Sequence, residues 1–268
     1  MLVDSHCHLA SPTLAADIDG VVERAIDAGV ARMITLGTDL EDCQTCVDFA
    51  DRFPQVHAAV GIHPCSVTET DAEDWFDQIE QMAQHPKIVA IGEIGLDYYH
   101  NPPEGWTEEE YHARQKDFLT QQLDLAVRLK KNVVIHNRDR GDQRVCWDDT
   151  LAAVLPYSDR LRAVFHCHIR DWASAAPLIE ANHLVSFTGI ATFKNAEVVR
   201  NAATEAVAGH FMVETDAPYL APMPYRGKRC EPAYVRHTAQ AIADFRRETL
   251  ESLAAHTTQT AETFFGLG

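Results

Sequence analysis

Leu2-Val3-Asp4-Ser5-His6-Cys7-His8 opens the chain as an apolar strand that ends in two histidines. Side chains on a strand alternate between faces, so His6 and His8 project to one side and Cys7 to the other. Two neighbouring imidazoles near a strand end make half of a metal site. A His-x-His pair alone is weak evidence, because a single strand histidine is more often a hydrogen-bonded structural residue. Four later apolar runs end the same way, on residue types that bind metals: Gly92-Glu93, Ile135-His136, Phe165-His166 and Glu214-Thr215-Asp216.

Those runs belong to a repeating rhythm. β-rich stretches predict strands at Leu2–His6, Ala31–Leu36, Val56–Gly61, Ile88–Glu93, Val133–His136, Ala163–His166, Leu184–Phe187 and Phe211–Glu214. Amphipathic stretches between them predict helices at Leu14–Ala28, Leu40–Phe53, Ala72–His85, Glu108–Leu129, Trp147–Leu155, Ala173–Asn182, Ala196–Ala208 and Ala233–Phe245. One more follows at Thr249–Phe264. In Glu108–Leu129 the apolar positions Phe118, Leu119, Leu123, Ala126 and Val127 recur at the three-to-four spacing of a buried stripe. Strand–helix alternation repeated eight times implies parallel strands and, most simply, a closed (β/α)8 TIM barrel over residues 1–268 as a single domain. A doubly wound open sheet would carry a Gly-rich phosphate loop after the first strand, and none follows Leu2–His6. Barrel enzymes gather their catalytic groups at the C-terminal ends of the strands. His6, His8, His63, Glu93, His136, His166 and Asp216 all fall at or just past such ends.

The bulk composition narrows the function classes. Of the 268 residues, 46% are hydrophobic, enough for a sizeable core and inconsistent with disorder. No apolar stretch approaches the roughly 18 residues needed to span a membrane. The N-terminus lacks a basic region and meets Asp4 at once, so no secretory signal is expected. Seven scattered cysteines, an odd number, suggest reduced thiols and a cytoplasmic enzyme. Cys43-x-x-Cys46 lies in an expected helix with no second pair, and is read as packing rather than a redox or zinc motif. A net charge of -17 argues against extended nucleic-acid coating, which depends on Lys and Arg neutralising phosphates. Brief contact with a short or single-stranded end remains open, because a bound cation reverses the local sign.

Four histidines and two carboxylates suit two divalent cations, zinc, magnesium or manganese. The expected division places His6, His8 and Asp216 on one ion and His136 and His166 on the other, with Glu93 bridging. Such a pair polarises a phosphoryl or carbonyl oxygen and acidifies water. Asp216 is expected to be both ligand and proton acceptor, which makes Asp216 and Glu93 the catalytic carboxylates. A Glu93 buried without a cation would be costly.

Asp4-Ser5-His6-Cys7-His8, Gly61-Ile62-His63-Pro64, Gly92-Glu93-Ile94-Gly95-Leu96-Asp97-Tyr98-Tyr99, Ile135-His136-Asn137-Arg138, Phe165-His166-Cys167 and Glu214-Thr215-Asp216-Ala217-Pro218-Tyr219 together resemble the TatD family of metal-dependent deoxyribonucleases. Arg226-Gly227-Lys228-Arg229-Cys230-Glu231-Pro232 fits the same family. The resemblance runs from one end of the chain to the other. It implies an amidohydrolase-type barrel, divalent metals on His6, His8, Glu93, His136, His166 and Asp216, and hydrolysis of DNA phosphodiesters, often exonucleolytic. The chain departs from the family pattern at His168-Ile169-Arg170, where Phe-Ser-Gly usually continues. It also departs at Cys230, usually Asn, and at Cys65, usually polar. These changes touch the substrate side and leave the metal set intact.

Further residues are expected to meet substrate. His63 is placed for the phosphate or leaving group, Arg138 for a bidentate phosphate clamp and Arg170 for substrate entry. His168 has the strand parity of His166 but reads better as a supporting or surface histidine. Tyr98 and Tyr99 are candidates for base stacking or for packing. The acidic run Glu104 to Glu110 reads as a solvated loop and helix start. The expected partner is DNA or another phosphodiester, met transiently, with no membrane and no obligate protein partner. The competing reading, hydrolysis of a small amide, lactone or aminoacyl ester, needs the same metals and fold. A strand-four Glu93, rather than a lysine, favours the TatD side. A metal-binding barrel without turnover is disfavoured by the complete ligand set.

Overall fold

In the computed structural model, which describes residues 1–70 and 74–267, eight parallel strands pair in sequence order. They are β1 Leu2–Cys7, β2 Val30–Leu36, β3 Val56–Val60, β4 Ile88–Asp97, β5 Asn132–Arg138, β6 Ala163–Phe165, β7 Leu184–Phe187 and β8 Phe211–Val213. The ring closes where β8 meets β1: the Asp216 N–H donates to the His6 carbonyl (2.9 Å), and the His8 N–H donates to the Ala217 carbonyl (2.7 Å). This is the TIM barrel the alternation implies. Its helices are α1 Pro12–Ala15, α2 Ile18–Asp27, α3 Leu40–Arg52, α4 Trp75–Ala83, α5 Glu108–Leu129, α6 Val145–Val154, α7 Ala176–Glu180, α8 Glu197–Glu205, α9 Val235–Arg246 and α10 Leu250–Phe265.

Side-chain caps mark the starts of α3, α5 and α10. At α5, Thr107 Oγ1 accepts from the Glu110 N–H while the Glu110 carboxylate accepts from the Thr107 N–H, a reciprocal capping box preceding three acidic residues. At α3 the Asp39 side chain accepts from the Asp42 N–H, and at α10 the Thr249 side chain accepts from the Ser252 N–H, each without the reciprocal bond. The helix expected at Leu14–Ala28 is broken: α1 and α2 are separate, with Asp17 outside helical geometry between them. The stretch Ala173–Asn182 divides into a 3-10 turn at Trp172–Ala175 and the short α7, which has Pro177 in its first turn. The helix expected at Ala72–His85 begins at Trp75; Ala72 and Glu73 lie outside the described residues.

The barrel interior is a packed core. Val3, Ile34 and Leu36, Ala59, Ala90, Val134, Val164, Leu184 and Met212 give every strand a place in one buried cluster, which Phe264 and Phe265 of α10 join. Each phenylalanine buried there contributes about 1.5–3 kcal/mol. Strict alternation outward from Val3 and Ala90 would send His6 and Glu93 away from the barrel axis. The pairing register shifts between Asp4 and Cys7 on β1 and between Ile91 and Ile94 on β4. These irregularities re-aim the two side chains into the mouth. On β5 and β6 no shift occurs, and His136 and His166 share parity with Val134 and Val164. Gly95 lets β4 run close against β5: its φ is +149°, and a Cβ there would fall 2.0 Å from the His136 carbonyl oxygen. Among the described residues no helix is long and apolar enough to cross a membrane.

Candidate metal centre

At the C-terminal mouth of the barrel, the other five expected ligands gather around Glu93. The Glu93 carboxylate is buried and its two oxygens face different histidines. Oε2 lies 3.4 Å from His6 Nε2 and 3.5 Å from His8 Nε2; Oε1 lies 2.9 Å from both His136 Nδ1 and His166 Nε2. Asp216 Oδ1 stands 3.3 Å from His8 Nε2 and 3.7 Å from His6 Nε2. Asp216 takes this position with φ +59°, a left-handed backbone that its hydrogen bond to the His6 carbonyl helps to hold.

The donor set fits cations. His6 Nε2 and His8 Nε2 lie 3.2 Å apart. At zinc–imidazole bond lengths, nitrogens so spaced subtend about 100° at a shared ion, close to a tetrahedral angle. Three groupings within the mouth bring ligand atoms within 4.8 Å of one another: His6, His8 and Asp216; His6, Glu93 and His166; and His63, Glu93 and His136.

Charges in the mouth are mutually stabilised. Burial would push the Glu93 carboxyl up, but His166, His6, His63 and the hydrogen bond from His136 outweigh it and hold the group well below the usual carboxylate range. Asp216 is lowered against its own burial, chiefly by the hydrogen bond with His8. Burial opposes protonation of His8, yet Asp216 and Glu93 carry it up to about 9. His166 is raised by Glu93 and Glu214 against the same opposition. These carboxylates seek positive charge, and a proton competes with a cation for the imidazoles.

Two supporting carboxylates were not singled out by sequence reasoning. Asp97, fully buried, accepts at Oδ2 from His136 Nε2 (3.0 Å) and at Oδ1 from the Tyr99 and His100 N–H groups (2.9 Å each). It fixes His136 with Nδ1 facing Glu93, the outer-shell role that orients a ligand imidazole. Glu214, also buried, accepts from the Cys167 N–H (2.8 Å) and stands 3.5 Å from His166 Nδ1. The available signal was position: Asp97 shares strand parity with Glu93, and Glu214 ends the strand run that leads to Asp216.

The mouth opens into a cleft of roughly 940 Å³, at the upper end of the small-molecule range. Among the described residues, six carboxylates line it (Asp39, Asp42, Glu69, Glu93, Asp97 and Asp216), against a single guanidinium, that of Arg138. Arg138 is exposed and lies 3.9 Å over the Tyr99 ring, which is itself 46% exposed. His63 lines the cleft with Nδ1 accepting from the Cys65 N–H (3.1 Å), which leaves Nε2 facing Glu93 Oε1 at 3.6 Å. Burial and the neighbouring His136 push His63 down to about 3.

Other expectations are placed elsewhere. Arg170, expected at the entrance, is outside the cleft lining: its Nη2 donates to Asp139 Oδ2 (2.5 Å) and to the Gln143 carbonyl (2.9 Å), with the guanidinium over Trp147. A buried carboxylate outcompetes solvent for that cation, so Ile169, exposed, is the residue of this turn that reaches the cleft. His168 is buried beside Trp147 and Phe187, with Nε2 at the Asp171 carbonyl (3.1 Å). Tyr98 packs on His112 and donates to Asp149. Cys230 is buried, and Cys43 and Cys46 are both buried on α3.

An eight-stranded parallel barrel that pools histidines and carboxylates at its C-terminal mouth defines the class of metal-dependent hydrolases. Residues 3–266 match the family model described as TatD related DNase, and the chain belongs to that family. It is 34% identical to the uncharacterized metal-dependent hydrolase YcfH of Escherichia coli K12, covering 98% of this chain and 95% of that protein. It is 31% identical to the 3'-5' ssDNA/RNA exonuclease TatD of Enterobacter lignolyticus, covering 99% of both. The crystal structure of YjjV, a TatD homolog from E. coli K12, superposes with a TM-score of 0.88 at 24% identity, covering all of this chain and 98% of that one; it shares the fold.

Proposed function

We propose that this protein hydrolyses phosphodiester bonds of DNA through two divalent cations shared at Glu93, trimming single-stranded ends from the 3' side as its exonuclease relative's name describes. One observation supports this most: Glu93 presents Oε2 to the His6/His8 pair and Oε1 to the His136/His166 pair. Cations held by His6, His8 and Asp216 on one side and by His136 and His166 on the other would supply Lewis acidity toward a phosphoryl oxygen and toward water. They would also offset the six lining carboxylates, which would otherwise repel a polyanion.

The chain's own groups do the rest. Asp216, held ionised by His8, accepts the proton of the attacking water at its carboxylate. His63 lines the cleft with its Nε2–H turned toward Glu93 Oε1, at 3.6 Å, and would give that hydrogen bond to a phosphate oxygen or the departing oxygen when substrate is bound. Arg138 pairs with a phosphate, and the exposed Tyr99 ring beneath it offers a face to a terminal base.

The test is a substrate panel on metal-reconstituted protein: single-stranded DNA labelled at either end, RNA, and small lactones and aminoacyl esters. Stepwise shortening of single-stranded DNA from its 3' end is the expected result. Turnover of the lactone or ester, with intact DNA under every divalent metal tried, would replace this reading with small-molecule hydrolysis.

A further inference from the structure

Beside the Glu93 centre a second kind of donor set faces the cleft. Cys65, just past β3, and His100, just past β4, meet over Asp97: Cys65 Sγ lies 3.6 Å from His100 Nδ1, and His100 Nδ1 lies 2.9 Å from Asp97 Oδ2. The three ligand atoms all fall within 4.8 Å of one another, and all three residues line the cleft. At ordinary zinc–sulfur and zinc–nitrogen lengths, a thiolate and an imidazole on one tetrahedral ion stand about 3.5 Å apart. The side chains therefore already sit at ligand spacing. They are also unequally anchored. Asp97 is fixed by two backbone N–H groups and by His136, whereas the His100 side chain is half exposed and free to adjust around an ion.

We infer that Cys65, Asp97 and His100 form an additional zinc site at the cleft wall, separate in ligands from the Glu93 centre. Donor chemistry selects the ion. A thiolate with an imidazole and a carboxylate favours zinc over magnesium or manganese, which prefer all-oxygen surroundings. On binding, the Cys65 thiol releases its proton to solvent as the sulfur–zinc bond forms. The His100 proton that faces Asp97 moves to Nε2, leaving Nδ1 as the ligand atom. Three protein ligands would leave a fourth position for an exogenous ligand, and all three residues line the cleft from which one would come. Arg138 is close by: it stacks on Tyr99, whose ring meets the His100 ring edge-on at 5.1 Å. An anionic oxygen at the fourth position would thus have a guanidinium as neighbour. Asp97 belongs to both assemblies, since Oδ2 faces His136 and His100 alike.

None of the six expected ligands at the Glu93 centre, Glu93 included, is a thiolate, so the inference has a spectroscopic signature independent of hydrolysis. Cobalt(II) substituted for zinc should give a near-ultraviolet sulfur-to-cobalt charge-transfer band in the full-length protein. Zinc titration with elemental analysis should find one equivalent beyond those at the Glu93 centre. Cys65→Ser should remove the band and that equivalent. His100→Ala, at a half-exposed side chain, should remove the same equivalent while leaving the fold intact. Cys167→Ser, at the other cysteine lining the cleft, should keep both. Absence of the band in the wild-type protein, its survival in Cys65→Ser, or its loss in Cys167→Ser would each overturn the assignment. A protein inactive on DNA that still shows the band would leave this site standing and remove only the nuclease reading.

Discussion

Asp97→Asn changes one atom of a residue outside the expected ligand set, yet its effect should reach the metal through His136. Oδ1 of Asp97 accepts from two backbone N–H groups, at Tyr99 and His100. An asparagine keeps both bonds only by placing its carbonyl oxygen there, which turns its NH2 toward His136 Nε2. His136 must then present a lone pair at Nε2, and its proton moves to Nδ1. That nitrogen lies 2.9 Å from Glu93 Oε1 and 3.3 Å from His166 Nε2, where the cation is to be bound. A protonated Nδ1 cannot ligate. Loss of such an outer-shell partner typically weakens metal affinity about 10–100-fold, or about 1.4–2.7 kcal/mol. The assay is chelator competition in a Cys65→Ser background, so that the thiolate set does not contribute, with circular dichroism to show an unchanged fold. Affinity within about twofold of the parent would refute the claim that Asp97 sets the His136 tautomer.

Asp216→Asn should keep the fold and at least one metal while lowering turnover about 10²–10⁴-fold, because an amide cannot accept the water proton; near-native kcat at saturating metal would remove Asp216 from that role. Arg138→Ala should weaken DNA binding and reduce the slope of log K against log salt by about one phosphate contact. Arg170→Ala, its guanidinium already engaged by Asp139, should leave that slope unchanged. Buried His183 accepts from the Ala163 N–H at Nδ1 and meets Ser158 at Nε2, and burial and Arg162 push it down to about 4. A depressed histidine stabilises the fold when neutral, so that contribution is complete above pH 6.5 and is lost as pH falls through about 4. The wild-type urea midpoint should therefore decline over this range more steeply than that of His183→Gln, and parallel declines would contradict the assignment.

The barrel and its candidate metal-binding mouth were legible because most strand ends announce themselves: the runs of β1, β3, β4, β5, β6 and β8 lead into a histidine or carboxylate, whereas those of β2 and β7 do not. The same cue misled at β4. Reading the strand as ending at Glu93 hid the four residues that continue pairing with β5 as far as Asp97 opposite Arg138, and with them the carboxylate that orients His136. Strand periodicity alone would have pointed Glu93 outward from Ala90. The register shift between Ile91 and Ile94 that corrects this arises from pairing with a neighbour and has no local pattern. Arg170 illustrates the other gap: a loop cation adjacent in sequence to a site turned instead to Asp139, 31 residues away in the chain. Which carboxylate captures a loop arginine is a tertiary outcome.

The proposed chemistry depends above all on Glu93 joining two cations across the barrel mouth. Anomalous diffraction from crystals grown with manganese tests this without recourse to turnover, since manganese avoids the thiolate set at Cys65. Two anomalous peaks about 3.5–4 Å apart are expected, one on each Glu93 oxygen, with His6, His8 and Asp216 around the first and His136 and His166 around the second. A single peak at saturating manganese, or two peaks that do not share Glu93, would contradict the bridged pair.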